Sequence, residues 1–196
     1  MMSIIEQQIF SKEIEGVGRI VLRPIHLKDD IDILYSWVKQ PYAKYWGMLD
    51  FSKEQVYNSY DEIEKNPHHH TYIGMLNDRP IFLMERYKAS EDIIAKHYDF
   101  KLNDYGMHIL VAPVEKRIPQ FTWCVFSTIM DYFFSLPYVE RVVVEPDANN
   151  KKIHKLNMKA GFVYQKEIKL PHKVASLAIC TKQSYEEALN KLHSNE

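Results

Sequence analysis

Cysteine is nearly absent from this chain of 196 residues: Cys124 and Cys180 are the only two, and both sit among apolar neighbours. Two such thiols suit buried, reduced positions in a cytosolic protein and exclude a disulfide framework. No apolar run approaches the ~18 residues of a membrane span. Glu6, Gln7 and Gln8 stand where a secretory leader would carry its apolar core. Together these absences predict a soluble, cytoplasmic protein. A surplus of either charge is missing too, since 25 Lys and Arg face 26 Asp and Glu. With the basic residues scattered and no Lys/Arg run, nothing electrostatic favours nucleic acid, while a phosphate-bearing small molecule remains possible as a partner. No internal repeat or low-complexity linker divides residues 1–196, so one domain with a full core is expected.

Aromatic residues are plentiful, with 13 Tyr, 9 Phe and 3 Trp, and most of those rings are expected in the core. Residues 4–23 read as two strands around Glu15-Gly16-Val17-Gly18, the second closed by Pro24. Ile31, Leu34, Tyr35 and Val38 repeat at helical spacing behind Asp29-Asp30, which predicts a helix over 26–39. A second helix over 51–65 is expected from Ser52 with Gln55 three places on, the capping-box spacing. Then comes His68-His69-His70. Successive residues point in different directions, and no carboxylate or cysteine stands at ligand spacing, so a solvated loop without a metal is expected. Residues 71–76 and 79–87 predict a hairpin turning at Asn77-Asp78. Within it Glu85 follows Ile81-Phe82-Leu83-Met84. A carboxylate there is costly to bury unpaired, so it faces either solvent or a cationic partner.

The two most informative stretches lie further on. Tyr105 to Pro113 is apolar on both sides of an alternating pattern, as for a strand inside a sheet, and it carries His108. Arg141 to Phe162 opens with the β-branched run Val142 to Val144 and passes through Glu145-Pro146-Asp147-Ala148-Asn149-Asn150. It then gives a helix with Ile153, Leu156 and Ala160 on one face, stopped by Gly161. Between them, Trp123, Phe126, Ile129, Met130 and Phe133 mark a helix over 122–136. Residues 165–178 and 184–192 read as two strands and a closing helix.

At these residues the chain resembles the GCN5-related N-acetyltransferases, and among them the siderophore branch that acylates the hydroxylated side-chain nitrogen of lysine or ornithine. The likeness rests on His108 in its apolar strand, on Val144-Glu145-Pro146-Asp147 with Asn150, and on Leu156-Asn157 before Gly161-Phe162. It implies an α/β (α+β) fold with a central mixed, twisted sheet flanked by helices. Acetyl-CoA or another acyl-CoA is the implied co-substrate, without a metal, and a small amine or hydroxylamine is the implied acceptor, handled by a monomer or homodimer. His108, with an ordinary pKa near neutrality, becomes the candidate proton acceptor. Glu145 would orient it, relay the proton or bind the acceptor. The backbone of Ile109, Leu110 and Val111 would hold the pantetheine arm. Lys116, Arg117, Gln120, Phe121 and Thr122 would meet the phosphates at a helix N-terminus, with Asn150 and Asn157 as further cofactor contacts. Trp46, Glu85 and Tyr87 would line the acceptor side.

Two departures from the family pattern stand out. Asn157 replaces the tyrosine that many members place four residues before the helix-ending glycine, and residues 115–122 contain no glycine where the family has a glycine-rich phosphate loop. The alternatives are a protein N-terminal or small-amine acetyltransferase of the same fold, and a non-catalytic relative acting as a binding or scaffold subunit.

Overall fold

The computed structural model describes residues 8–113 and 119–194. Eight strands form one mixed sheet in the order β1-β2-β3-β4-β5-β6-β8-β7, with helices α1 to α5 between them in the chain, an α/β fold. By contact density the chain falls into two compact units. One holds residues 1–86 and 108–129, the other 87–107 and 130–196.

In the first unit, β1 (Phe10–Ile14) and β2 (Gly18–Pro24) form the expected hairpin, and β2 pairs antiparallel with β3 (His69–Leu76). Helix α1 (Leu27–Val38) buries Ile31, Leu34, Trp37 and Val38, as their spacing requires. Its start is fixed from within, because the Asp30 carboxylate accepts the His26 backbone N–H at 2.7 Å. The same carboxylate forms a two-pronged pair with Arg23 at 2.6 and 2.7 Å, tying the helix to β2. Helix α2 (Lys53–Lys65) begins with the predicted Ser52–Gln55 capping box, both hydrogen bonds present. Strands β3 and β4 (Arg79–Lys88) turn at Asn77 and Asp78, both at positive φ (48° and 61°), as a tight two-residue hairpin demands.

The alternation of these strands decides where the polar residues go. Ile73 and Met75 on β3, Leu83 on β4 and Leu110 on β5 (Asp104–Val111) share one core cluster with α1 and α2. With a period of two, His69, Glu85 and His108 fall on that same face.

In the second unit, β5 pairs parallel with β6 (Arg141–Val144) over Asp104 to Gly106. Strand β6 pairs antiparallel with β8 (Lys173–Thr181), which pairs with β7 (Val163–Leu170) across a bulge at Tyr164 and Lys166. Arg141 grips the fully buried Asp104 at 2.6 Å through two nitrogens, and Tyr98 donates to the same carboxylate at 2.9 Å. Helix α4 (Lys151–Lys159) follows β6, and α5 (Lys182–His193) closes the chain behind a Thr181–Ser184 capping box. Gly161, at φ 86°, lets the end of α4 lie on α5: a Cβ there would stand 2.3 Å from the Ser184 carbonyl oxygen. Helix α3 (Phe121–Ser135) buries Phe126, Ile129, Met130 and Phe133 of the predicted stripe together with Val125, while Trp123 is half-buried. Among the described residues no helix is long and apolar enough to cross a membrane. Cys180 is buried and Cys124 half-buried, both as free thiols.

Candidate active site

Glu85 is the centre of the first unit's polar cluster. His108 Nδ1 lies 2.8 Å from its Oε2, and His69 Nε2 lies 3.3 Å from the same oxygen. Burial pushes the Glu85 carboxyl up, but the hydrogen bonds and charges of the two imidazoles outweigh it and hold the pKa at about 2. Of the two faces open to Glu85, the structure gives the inward one, with two imidazoles as partners.

Tyr60, fully buried on α2, completes the group. Burial first, and then the Glu85 carboxylate to which it hydrogen bonds, raises its phenol well above the ordinary value. Tyr60 also accepts the Trp46 indole N–H at 3.0 Å, and the Trp46 ring stands edge-on to His108 with centroids 6.3 Å apart. Trp46 and Glu85, expected on the acceptor side, and His108, expected as the base, are therefore one contact network. His108 keeps 38% of its side-chain surface open while Glu85 keeps 6%, so of this hydrogen-bonded pair the imidazole is the solvent-facing member.

The solvated-loop expectation for the histidine run is corrected here. Strand β3 begins at His69, two residues earlier than predicted, and its alternation turns His69 inward onto Glu85. No local spacing rule could find this contact, because the partner carboxylate is on the next strand. His69 and Tyr60 are the two members that sequence reasoning missed, and the alternation running back from Ile73 was the available signal.

In the second unit Glu145, at the end of β6, is also buried. Tyr87 donates its hydroxyl proton to Oε2 at 2.8 Å, and Lys173 Nζ lies 3.5 Å from Oε1. Tyr87 reaches this position across Gly106, where an added Cβ would stand 2.0 Å from the ring.

The residues expected to meet the cofactor are distributed as follows. Leu110 is buried, and Ile109 and Val111 are half-buried on β5. The Val111 carbonyl accepts the Tyr42 hydroxyl at 2.8 Å, and burial pushes that phenol up to about 12. Lys116 and Arg117 lie outside the described residues. Gln120 takes a left-handed backbone (φ 56°) directly before α3, a conformation that favours glycine. The first N–H groups of α3 follow Gln120, with Phe121 buried and Thr122 exposed. Asn150 occupies the N-cap of α4 without a side-chain capping bond. Asn157 is buried, its Nδ2 donates to the Tyr164 hydroxyl at 3.0 Å, and its Oδ1 finds no hydrogen-bond partner among the described residues.

Residues 26–170 match the acetyltransferase (GNAT) domain model. The chain belongs to the GNAT acetyltransferase family. Among curated GNAT relatives it is 26% identical over 165 residues to an N-hydroxyputrescine acetyltransferase of Acinetobacter baumannii, covering 84% of this chain and 78% of that one. It is also 26% identical over 157 residues to an N(6)-hydroxylysine O-acetyltransferase of Escherichia coli, covering 80% of this chain but only 50% of that longer protein. The fold is shared with an uncharacterized protein of Bacillus halodurans at a TM-score of 0.87 and 29% identity, over 95% of this chain and 96% of that one. It is shared as well with the aminoglycoside acetyltransferase AAC(6')-Ib, solved with ribostamycin and coenzyme A, at a TM-score of 0.75 and 22% identity, over 85% and 96% of the two chains.

Proposed function

We propose that this GNAT protein transfers an acyl group, acetyl first of all, from acyl-CoA to the hydroxylamine nitrogen of a hydroxylated lysine or diamine, as one step in building a hydroxamate siderophore. The observation that carries the reading is the partly open His108 imidazole with Nδ1 bound to a buried, ionised Glu85. The relatives named for hydroxylated putrescine and lysine support the acceptor class.

The chemistry follows from that geometry. With its Nδ1–H donated to Glu85, His108 carries its lone pair on Nε2. The oxygen next to a hydroxylamine nitrogen withdraws electron density, so this nitrogen is neutral at a pH where an alkyl amine is an ammonium. It attacks the thioester carbonyl, a C–N bond forms, the C–S bond breaks, and the proton leaving nitrogen passes to Nε2. Glu85 holds the ring's tautomer and stabilises the imidazolium. Trp46 and Tyr60 fix the surroundings in which the acceptor is held. Glu145, anchored by Tyr87 and Lys173, serves as the second carboxylate of the proposal, relaying the proton or binding the acceptor. Lys116, Arg117, Gln120 and Thr122 would take the phosphates of acyl-CoA, with Phe121, Asn150 and Asn157 as further contacts to it.

Product analysis tests the reading. Acylation at nitrogen yields a hydroxamic acid, which forms a coloured ferric complex, whereas acylation at oxygen yields an ester that does not. Turnover of acetyl-CoA with N6-hydroxylysine or N-hydroxyputrescine is expected to give the ferric colour in proportion to CoA released. CoA release without it would refute nitrogen acylation.

A further inference from the structure

The cluster of His69, Glu85 and His108 has a second chemical meaning. Three potential ligand atoms, His69 Nε2, a Glu85 carboxylate oxygen and His108 Nδ1, all lie within 4.8 Å of one another. Two of the separations are 2.8 and 3.3 Å, the second matching and the first about half an ångström short of the ~3.3 Å expected between neighbouring ligands of a tetrahedral ion with bonds of ~2.0 Å. Two imidazoles and one carboxylate suit a borderline transition ion of the Zn²⁺ class. Mg²⁺ and Ca²⁺ prefer all-oxygen shells.

Other features of a usable site are present. Tyr60 hydrogen bonds the Glu85 carboxylate from behind, an outer-shell contact that orients a ligating carboxylate. Of the three, His108 is the most exposed at 38%, against 18% for His69 and 6% for Glu85. Three protein ligands leave a fourth position for water or an added molecule.

We propose that His69, Glu85 and His108 bind one Zn²⁺-class divalent ion, which takes the imidazole that otherwise serves as base. On binding, the proton shared between His108 Nδ1 and Glu85 leaves to solvent and Nδ1 becomes a ligand. The ion and the acylation chemistry thus exclude one another at His108. That consequence rests on the function proposed above, while metal binding itself does not.

The test is a Co²⁺ titration of the full chain, with the visible bands of four-coordinate cobalt as the readout, followed by displacement with Zn²⁺ in a calorimeter. One ion per chain is expected, with intense bands. His69→Gln and Glu85→Gln should each weaken binding at least ~10-fold while keeping a folded circular-dichroism spectrum. Absence of tetrahedral bands in the wild-type protein at millimolar Co²⁺ would overturn the proposal, as would unchanged affinity in folded His69→Gln. Neither readout depends on turnover, so a protein that binds cobalt and yet, when freed of metal, acylates no hydroxylamine would refute the proposed function and leave the metal site standing.

Discussion

Glu85 and His108, side by side on neighbouring strands β4 and β5, share a hydrogen bond of 2.8 Å between a buried carboxylate and an imidazole open to solvent. A pair of this kind defines a tautomer: one ring nitrogen is committed and the other is left for chemistry. His108→Ala is therefore expected to lower turnover by roughly two to four orders of magnitude and to leave acyl-CoA affinity nearly unchanged. Steady-state kinetics beside calorimetry with CoA checks both halves, and unaltered turnover would remove His108 from the mechanism.

The same carboxylate makes acid stability a readout. Glu85 has a folded pKa of about 2 against an ordinary 4.5. A depressed carboxyl pKa contributes stability that is fully present above the unfolded value and is lost as pH falls through the folded one. Glu85→Gln should cost on the order of 3 kcal/mol near neutral pH, because the buried carboxylate and its hydrogen bonds to the two imidazoles are lost together. The gap to wild type should narrow as pH drops from 4.5 toward about 2. Denaturant melts at several pH values measure this. A gap independent of pH would show that the carboxylate's charge is not what stabilises the cluster.

Gly106 and Tyr87 make a steric pair. A methyl at position 106 would stand 2.0 Å from the Tyr87 ring, so Gly106→Ala should destabilise by about 1–3 kcal/mol or displace the ring from Glu145. In a Tyr87→Ala background the cost of Gly106→Ala should largely vanish, giving a coupling energy in a double-mutant cycle. Additive costs would contradict the contact.

Gln120 holds a positive φ of 56° before α3. Gln120→Gly should be neutral or stabilising by up to ~1 kcal/mol, whereas a β-branched residue there should destabilise. Thermal melts of Gln120→Gly and Gln120→Val decide it, and equal melting temperatures would argue against the left-handed turn.

Much of this was legible in the sequence, for reasons that are local. The Ser52–Gln55 box, the Asn77-Asp78 turn and the apolar stripe from Trp123 to Phe133 each state their structure within a few residues, and each element is found near the predicted place. The match of residues 26–170 agrees with the resemblance read from His108, Glu145 to Asn150 and Gly161-Phe162. What could not be read is which side chains meet across strands. The His69–Glu85 contact joins residues 16 positions apart through a hairpin, and Tyr60 reaches Glu85 from a helix. Spacing rules that look along one element do not see such pairs. Composition is silent on the left-handed turn that Gln120 adopts, because the residue type there does not favour it.

The most direct measurement is a competition for acetyl-CoA between a hydroxylated acceptor and its parent amine, for instance N6-hydroxylysine against lysine, read as the ratio of kcat/KM. The account predicts a preference for the hydroxylated nitrogen of at least ~100-fold, about 2.7 kcal/mol, because a base placed to receive one proton cannot also take the extra proton that an ammonium carries. Equal rates on the two acceptors, or transfer to the amine alone, would contradict it.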